Sequence, residues 1–275
     1  MTPLEDSAPQ SDLRVSIVQG ETRWHDPAGN RDYYAGLIAP LHGITDLVVL
    51  PETFTSGFSN DAVAAAEDMR GATVDWLLEQ ADRLDAAVTG SVQLRDGEGV
   101  YNRMLFAAPG GGLAHYDKRH LFSFANEHQR YAAGDRRVIV EWKGWHILLQ
   151  VCYDLRFPVF ARNRFDAARP GLPDYDLALY VANWPSVRSH AWKTLLRARA
   201  IENVSYVVGV NRVGTDGNGL HYSGDSVVVD FLGQPVSECM DTEVVVTTTL
   251  QAAELQAHRQ RFPALRDADA FNLEA

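Results

Sequence analysis

The stretch Trp145-His146-Ile147-Leu148-Leu149-Gln150-Val151-Cys152-Tyr153-Asp154-Leu155-Arg156-Phe157-Pro158 constrains the fold more than any other. Its first half is a short apolar run rich in strand-forming residues. Its second half turns polar before a proline suited to the first turn of a helix. A buried strand that ends at Cys152 and feeds a helix belongs to an α/β architecture. In open α/β sheets, ligands bind in the crevice outside the carboxyl ends of strands. A thiol at that point is presented to a substrate, although most unpaired cysteines are small core hydrophobes. Partners elsewhere in the chain have to decide between the two.

The remainder of the chain repeats the pattern. Arg14 to Val18 and Asp46 to Leu50 read as strands around a helix from about Asn30 to Leu41. Between Asp61 and Ala87 apolar residues recur at helical spacing with a break near Gly71, which predicts two helices. Val88 to Leu94, Tyr101 to Ala107 and Leu113 to Asp117 read as successive strands joined by Asp96-Gly97-Glu98-Gly99 and Pro109-Gly110-Gly111-Gly112. Val138 to Trp142 pairs with Trp145 to Val151, and Pro158 to Ala168 reads as a helix. Leu177 to Ala182 is a strand, Ser189 to Asn203 a helix and Tyr206 to Val210 a strand. A glycine-rich loop from Gly214 to Gly224, strands at Ser226 to Phe231 and Val244 to Leu250, and a helix around Ala253 to Arg261 complete the chain. Strands alternating with helices, interrupted by hairpins, predict two packed sheets with helices outside. With 275 residues and no linker, residues 13–275 read as one domain behind a flexible polar tail at residues 1–12.

Composition removes several functions. A net charge of -11 opposes a nucleic-acid partner, and no apolar run is long enough for a membrane span. The two cysteines, Cys152 and Cys239, make no disulfide framework. A lone thiol suits a reducing compartment, so the cytoplasm is expected. Between His115 and Arg199 there are 14 Lys and Arg against 8 Asp and Glu, a local excess of positive charge inside an acidic chain. Such an excess would favour a small anion. No cofactor or metal is expected: the histidines, among them His115, His120, His128, His146, His190 and His221, have no tight zinc spacing.

Three polar residues share one context. Glu52 follows the strand Asp46 to Leu50, Lys118 follows Leu113 to Asp117, and Cys152 follows Trp145 to Val151. If those strands lie side by side, a carboxylate, an ammonium and a thiol meet at their ends. A thiol becomes a strong nucleophile on deprotonation, which a nearby base or cation promotes. Glu52 is the base and Lys118 the cation, and Lys118 with the Tyr153 backbone N–H would stabilise an oxyanion. Arg188, after the strand exit at Asn183-Trp184-Pro185, could bind a carboxylate in a bidentate fork. Arg156 reads as a buried ion-pair partner of an acid such as Asp154. Phe58 and Trp184 could wall a pocket, with Asn183 beside them. Cys239 reads as structural. A metal-dependent phosphoesterase on a similar sandwich, a Cys-His protease-like site using His120 or His128, and a non-catalytic scaffold are the competing readings.

Pro51-Glu52-Thr53-Phe54, Tyr116-Asp117-Lys118-Arg119-His120-Leu121-Phe122 and Val151-Cys152-Tyr153-Asp154-Leu155-Arg156-Phe157-Pro158 resemble, in order, the three catalytic blocks of the carbon-nitrogen hydrolase (nitrilase) superfamily. The resemblance spans about Leu13 to Phe271. It implies a four-layer α-β-β-α sandwich, assembly as a homodimer or larger homo-oligomer, and a Glu52, Lys118, Cys152 catalytic triad. It also implies that Glu127, in Phe124-Ala125-Asn126-Glu127-His128, supports Lys118 or the substrate. The wording of Thr53-Phe54-Thr55-Ser56-Gly57-Phe58, Tyr180 to Pro185, Arg197 to Asn203 and Gly209 to Gly214 is similar to the bacterial omega-amidase branch. That branch hydrolyses the terminal amide of 2-oxoacids such as 2-oxoglutaramate and 2-oxosuccinamate. The implied partner is therefore a small anionic amide substrate.

Overall fold

Apolar strands that must bury both faces dominate the computed structural model, which describes residues 8–165, 169 and 171–273. The first half of the chain forms β1 (Leu13–Gln19), α1 (Pro27–Ile38), β2 (Leu47–Val49), β3 (Glu67–Asp68), α2 (Ala72–Leu84), β4 (Ala87–Asp96), β5 (Gly99–Ala108) and β6 (Gly112–Asp117). The second half forms β7 (Ile139–Trp142), β8 (Trp145–Val151), α3 (Pro158–Ala161), β9 (Leu177–Ala182), α4 (Ser189–Asn203) and β10 (Tyr206–Asn211). After these come β11 (Val213–Thr215), β12 (His221–Ser223), β13 (Val227–Val229), β14 (Pro235–Glu238), β15 (Val244–Leu250) and α5 (Ala252–Arg261). One sheet has the order β15-β1-β2-β4-β5-β6, with β3 added to β4. The other has the order β14-β13-β10-β9-β8-β7.

In each sheet a parallel centre, β1-β2-β4 in one and β8-β9-β10 in the other, is flanked by antiparallel strands. Strand pleating sends alternate side chains to opposite faces, which explains why nearly unbroken apolar runs are needed here. Ile147, Leu149 and Val151 of β8 and Leu177, Leu179 and Val181 of β9 fill the core between the sheets, against Val15, Ile17 and Val49. The intervening Leu148, Ala178 and Tyr180 face Trp192, Leu196 and Ala200 of α4. On the opposite side, Val18, Val48 and Val88 meet Tyr34 and Ile38 of α1 and Val74, Leu77 and Ala81 of α2. Helix, sheet, sheet and helix are thus the four layers of a nitrilase-type sandwich, as expected.

Local elements depart from the sequence reading in four places. The first of the two helices expected between Asp61 and Ala87 is only a 3-10 turn at Asp61–Ala65 leading into β3. Its alanines offer no apolar face wide enough for a helix to bury. β4 outruns the three-residue β2, so Glu67 and Asp68 pair instead with Leu94 and Arg95. Helix α3 stops at Ala161, well short of Ala168, because the Asn163 backbone and amide are captured by Asn203 and Tyr175. Residues 166–168 of that expectation lie outside the described residues. The glycine-rich loop holds the hairpin β11-β12, and β14, which the pattern did not predict, pairs with β13. Of the expected tail, residues 8–12 are described, and two of them contact the folded domain. Ser11 O accepts the Trp145 indole N–H at 2.8 Å, and Asp12 accepts the Ala252 N–H at 2.9 Å.

Candidate active site

The three polar residues do meet, although not because their strands are neighbours. β2 and β6 lie in one sheet with β4 and β5 between them, and β8 lies in the other sheet. The turns leaving these strands bend toward one pocket across the sandwich. Two of the turns carry unusual backbone: Cys152 has φ 48° and Thr53 has φ 42°. Left-handed φ is costly for any residue with a Cβ and most costly for a β-branched one. At Cys152 it drives the chain from β8 straight into a 3-10 turn, Cys152–Arg156, and swings the sulfur out of the sheet.

Glu52 is fully buried, yet its carboxylate is well supplied with donors. Its Oε1 accepts from Lys118 Nζ at 3.1 Å and from Asn102 Nδ2 at 2.7 Å, and its Oε2 accepts from the Asn183 backbone N–H at 2.7 Å. Three donors leave room for one more on about four lone-pair positions; the Cys152 thiol feels this carboxylate, which raises it, while its Sγ donates to Asn183 O at 3.9 Å. The Asn183 amide is tied to Glu52 O at 2.6 Å and to Thr53 Oγ1 at 3.0 Å, which locks the strained turn in place. Lys118 also donates to both oxygens of Glu127 at 3.0 Å. Glu127 is itself fixed by the Phe122 N–H at 2.5 Å.

Burial alone would drive Lys118 toward the neutral amine, but Glu127 and Glu52 overcome it and hold the ammonium well above its usual range. Burial raises Glu127, against the pull of Lys118. Burial also raises Cys152, the facing Glu52 raises it further, and Lys118 only partly opposes them. The sequence reading expected the base and cation to favour a thiolate. In the structure desolvation and the facing carboxylate both push the sulfur the other way, since each disfavours a second negative charge.

The pocket above them has a volume of about 70 Å³ and a half-open mouth. Phe58, Tyr153, Asn183, Trp184 and Arg188 are among the residues that line it. Tyr153 is the second residue of the 3-10 turn, in the first turn where backbone amides have no acceptor within the helix, so its N–H follows directly after the sulfur-bearing residue. Arg156 is corrected. It is exposed at the pocket mouth with its guanidinium 4.9 Å from the Trp184 ring centroid, and it is not paired with Asp154. Arg188 sits 5.4 Å from the Phe122 ring centroid. Among the described residues neither arginine forms an ion pair.

The sequence reading missed Asn102, Phe122 and the loop residues Leu220 and Tyr222, which also line or brace the site. A lone Asn inside the run Tyr101 to Ala107 was the only signal for Asn102. Leu220 and Tyr222 arrive on the unpredicted hairpin. No group of described His, Cys, Asp and Glu residues has the arrangement of a metal site. Among them, no helix is long and apolar enough to cross a membrane.

The carbon-nitrogen hydrolase family model matches residues 14–260. Omega-amidase YafV of Escherichia coli is 47% identical over 264 residues, covering 95% of this chain and 98% of that protein. The 2-oxoglutaramate amidase of Bacillus subtilis is 30% identical, covering 92% and 96%. The crystal structure of XC1258 from Xanthomonas campestris, a CN-hydrolase superfamily protein with an arsenic adduct in its active site, superposes with a TM-score of 0.95. It shares 67% identity and covers 96% of this chain and all of that one. The chain belongs to the carbon-nitrogen hydrolase family.

Proposed function

We propose that this enzyme is an omega-amidase: it hydrolyses the terminal amide of small 2-oxoacids, 2-oxoglutaramate or 2-oxosuccinamate, to a dicarboxylate and ammonia. The observation that carries the reading is a thiol, a donor-rich carboxylate and a buried ammonium at the floor of one pocket, with two guanidinium groups at its mouth that have no acidic partner among the described residues. Relatives named omega-amidase and 2-oxoglutaramate amidase, aligned over nearly the whole chain, support the same substrate class.

In this reading Glu52 takes the Cys152 proton as sulfur attacks the amide carbon, so a thiolate facing a carboxylate never has to persist. The negative charge that develops on the carbonyl oxygen falls to Lys118 and the Tyr153 N–H. Glu52 then returns the proton to the departing ammonia. In the second half it activates a water that attacks the thioester, releasing the acid and restoring the thiol. Glu127 keeps Lys118 charged and aimed. Arg156 and Arg188 hold the carboxylate end of the substrate through charge-assisted hydrogen bonds. An enzyme working through an unpaired thiol suits the reducing cytoplasm, which remains the proposed location.

Ammonia release from a panel of 2-oxoacid amides, glutamine, asparagine, simple aliphatic amides, N-carbamoyl compounds and nitriles tests the proposal. The 2-oxoacid amides are expected to turn over fastest, and Cys152→Ala is expected to abolish their hydrolysis. Preference for an uncharged amide or a nitrile would reject the substrate class. Activity that survives in Cys152→Ala would reject the mechanism.

A further inference from the structure

Asp154 is a fully buried carboxylate that makes no ion pair with Lys or Arg among the described residues. It is nevertheless saturated with donors. Its Oδ2 accepts the Val151 N–H at 2.9 Å and the Tyr116 hydroxyl at 2.8 Å. Its Oδ1 accepts the His120 N–H at 3.0 Å and approaches His120 Nδ1 at 2.7 Å. These four donors come from two places in the chain. Val151 immediately precedes the nucleophile, on the sheet that carries β8. Tyr116 and His120 lie two residues before and two after Lys118, on the other sheet. The Tyr116 hydroxyl in turn accepts the Arg119 N–H at 3.1 Å, and the His120 ring stacks on Phe157 with centroids 3.9 Å apart, so the donors are held as well.

Nothing in the reaction proposed above requires a carboxylate here, and burying one is expensive unless its hydrogen bonds repay the desolvation. Its placement points to a mechanical role. The left-handed turn at Cys152 and the loop around Lys118 belong to different sheets, and sulfur and ammonium must keep their relative position to about an ångström for the oxyanion to meet its donor. We infer that Asp154 is a positioning residue: it clamps the Cys152 turn to the Lys118 loop and so sets the spacing between nucleophile and oxyanion donor. The inference rests on the assignment of Cys152 and Lys118 above, but not on which amide is the substrate. Asp154 does not line the pocket, so in this inference it acts only through Cys152 and Lys118.

Folded enzyme is first isolated by size-exclusion chromatography and its native fraction checked by near-ultraviolet circular dichroism, because an unfolded chain would expose both Cys152 and Cys239 to thiol reagents. Per folded molecule, Asp154→Asn is expected to lower kcat roughly ten- to a hundredfold, the cost of misplacing a catalytic group by about an ångström, with KM nearly unchanged. Tyr116→Phe, which removes one donor and keeps the ring in the core, should give a smaller loss. The double variant should be no slower than Asp154→Asn alone, since a donor to a clamp already broken has nothing left to hold. Alkylation of Cys152 by iodoacetamide provides a readout that needs no substrate, and it is expected to slow in Asp154→Asn while the same fraction of protein is finally labelled. Losses that multiply in full in the double variant, or alkylation that quickens because the site has merely loosened, would overturn the clamp. Failure of the wild-type enzyme on 2-oxoacid amides, with these alkylation results intact, would count against the substrate assignment and leave the clamp standing.

Discussion

Lys118 carries the greatest electrostatic load of any single residue in the site. An ammonium this deeply buried is tolerable only because Glu52 and Glu127 flank it, and the two carboxylates are tolerable only because it lies between them. Removing one member of such a buried group strands the others, at a typical cost of ~3–5 kcal/mol. Loss of one oxyanion donor typically costs ~10²–10³-fold in turnover. Lys118→Met is therefore expected to reduce kcat by at least that factor and to lower the melting temperature as well, measured by ammonia release and by calorimetry. Glu127→Gln, which leaves Lys118 paired with Glu52, should be milder on both counts. A Lys118→Met protein as stable as the parent would mean that the cation is not the centre of the buried group. The sequence alone gave Lys118 a place at a strand exit, and only resemblance pointed to Glu127. The reason is physical: Glu127 sits in irregular 3-10 turns, where no periodicity marks a residue as buried.

Elements that cross between the sheets were the hardest to foresee, because they are fixed by side chains distant in sequence. Asp46, just before β2, accepts the Arg14 N–H and its guanidinium at 2.9 Å and also takes Lys143 from the turn between β7 and β8. The Trp142 indole of β7 donates to Asp46 O at 2.8 Å. One aspartate thus ties the opening strands of the first sheet to the edge hairpin of the second. Burial opposes the Asp46 charge, but Arg14 and Lys143 overcome it and hold the carboxyl far below its usual range. A carboxylate with a lowered folded-state pKa stabilises the protein above its unfolded value, near 4, and loses that contribution as pH falls below it. Asp46→Asn is expected to be less stable than the parent at pH 7 in urea unfolding, and the gap should close as the pH drops below about 4. A gap independent of pH would assign the loss to packing. Regular elements behaved otherwise. Ser189 to Asn203 matches α4 residue for residue, since its buried Trp192, Leu196, Ala200 and Asn203 repeat at helical spacing. The stretch from Asp61 to Ala66 misled because its four alanines and Val63 imitate that spacing without any of them being buried.

At the scale of the whole molecule, the layered architecture could be read from alternation of strand and helix, but the path by which the site assembles could not. Strand order is a property of long-range pairing, and the expectation that the three strands lie side by side gave way to convergence from two sheets. The charge pattern also needs reinterpretation. The positive segment from His115 to Arg199 spends most of its charge on structural pairs: Arg137 with Asp174, Arg169 with Asp176, Arg199 with Glu202 and Lys143 with Asp46. Arg156 and Arg188 are the segment's arginines at the pocket. Selection of an anion should then come from contact at the mouth and not from a long-range field, which in a chain of net charge -11 repels anions. Raising ionic strength from about 0.01 M to about 0.15 M shortens the screening length from roughly 30 Å to roughly 8 Å. Over that range kcat/KM for a 2-oxoacid amide is expected to hold or to rise slightly as the repulsion is screened. Arg156→Ala and Arg188→Ala should each raise KM for that substrate by about tenfold, the low end of a lost charge-assisted hydrogen bond at ~1.5 kcal/mol, and should leave an uncharged amide nearly untouched. A steep fall of kcat/KM with salt in the wild type would restore steering by the positive segment, and an equal loss on charged and uncharged amides would remove both arginines from substrate recognition.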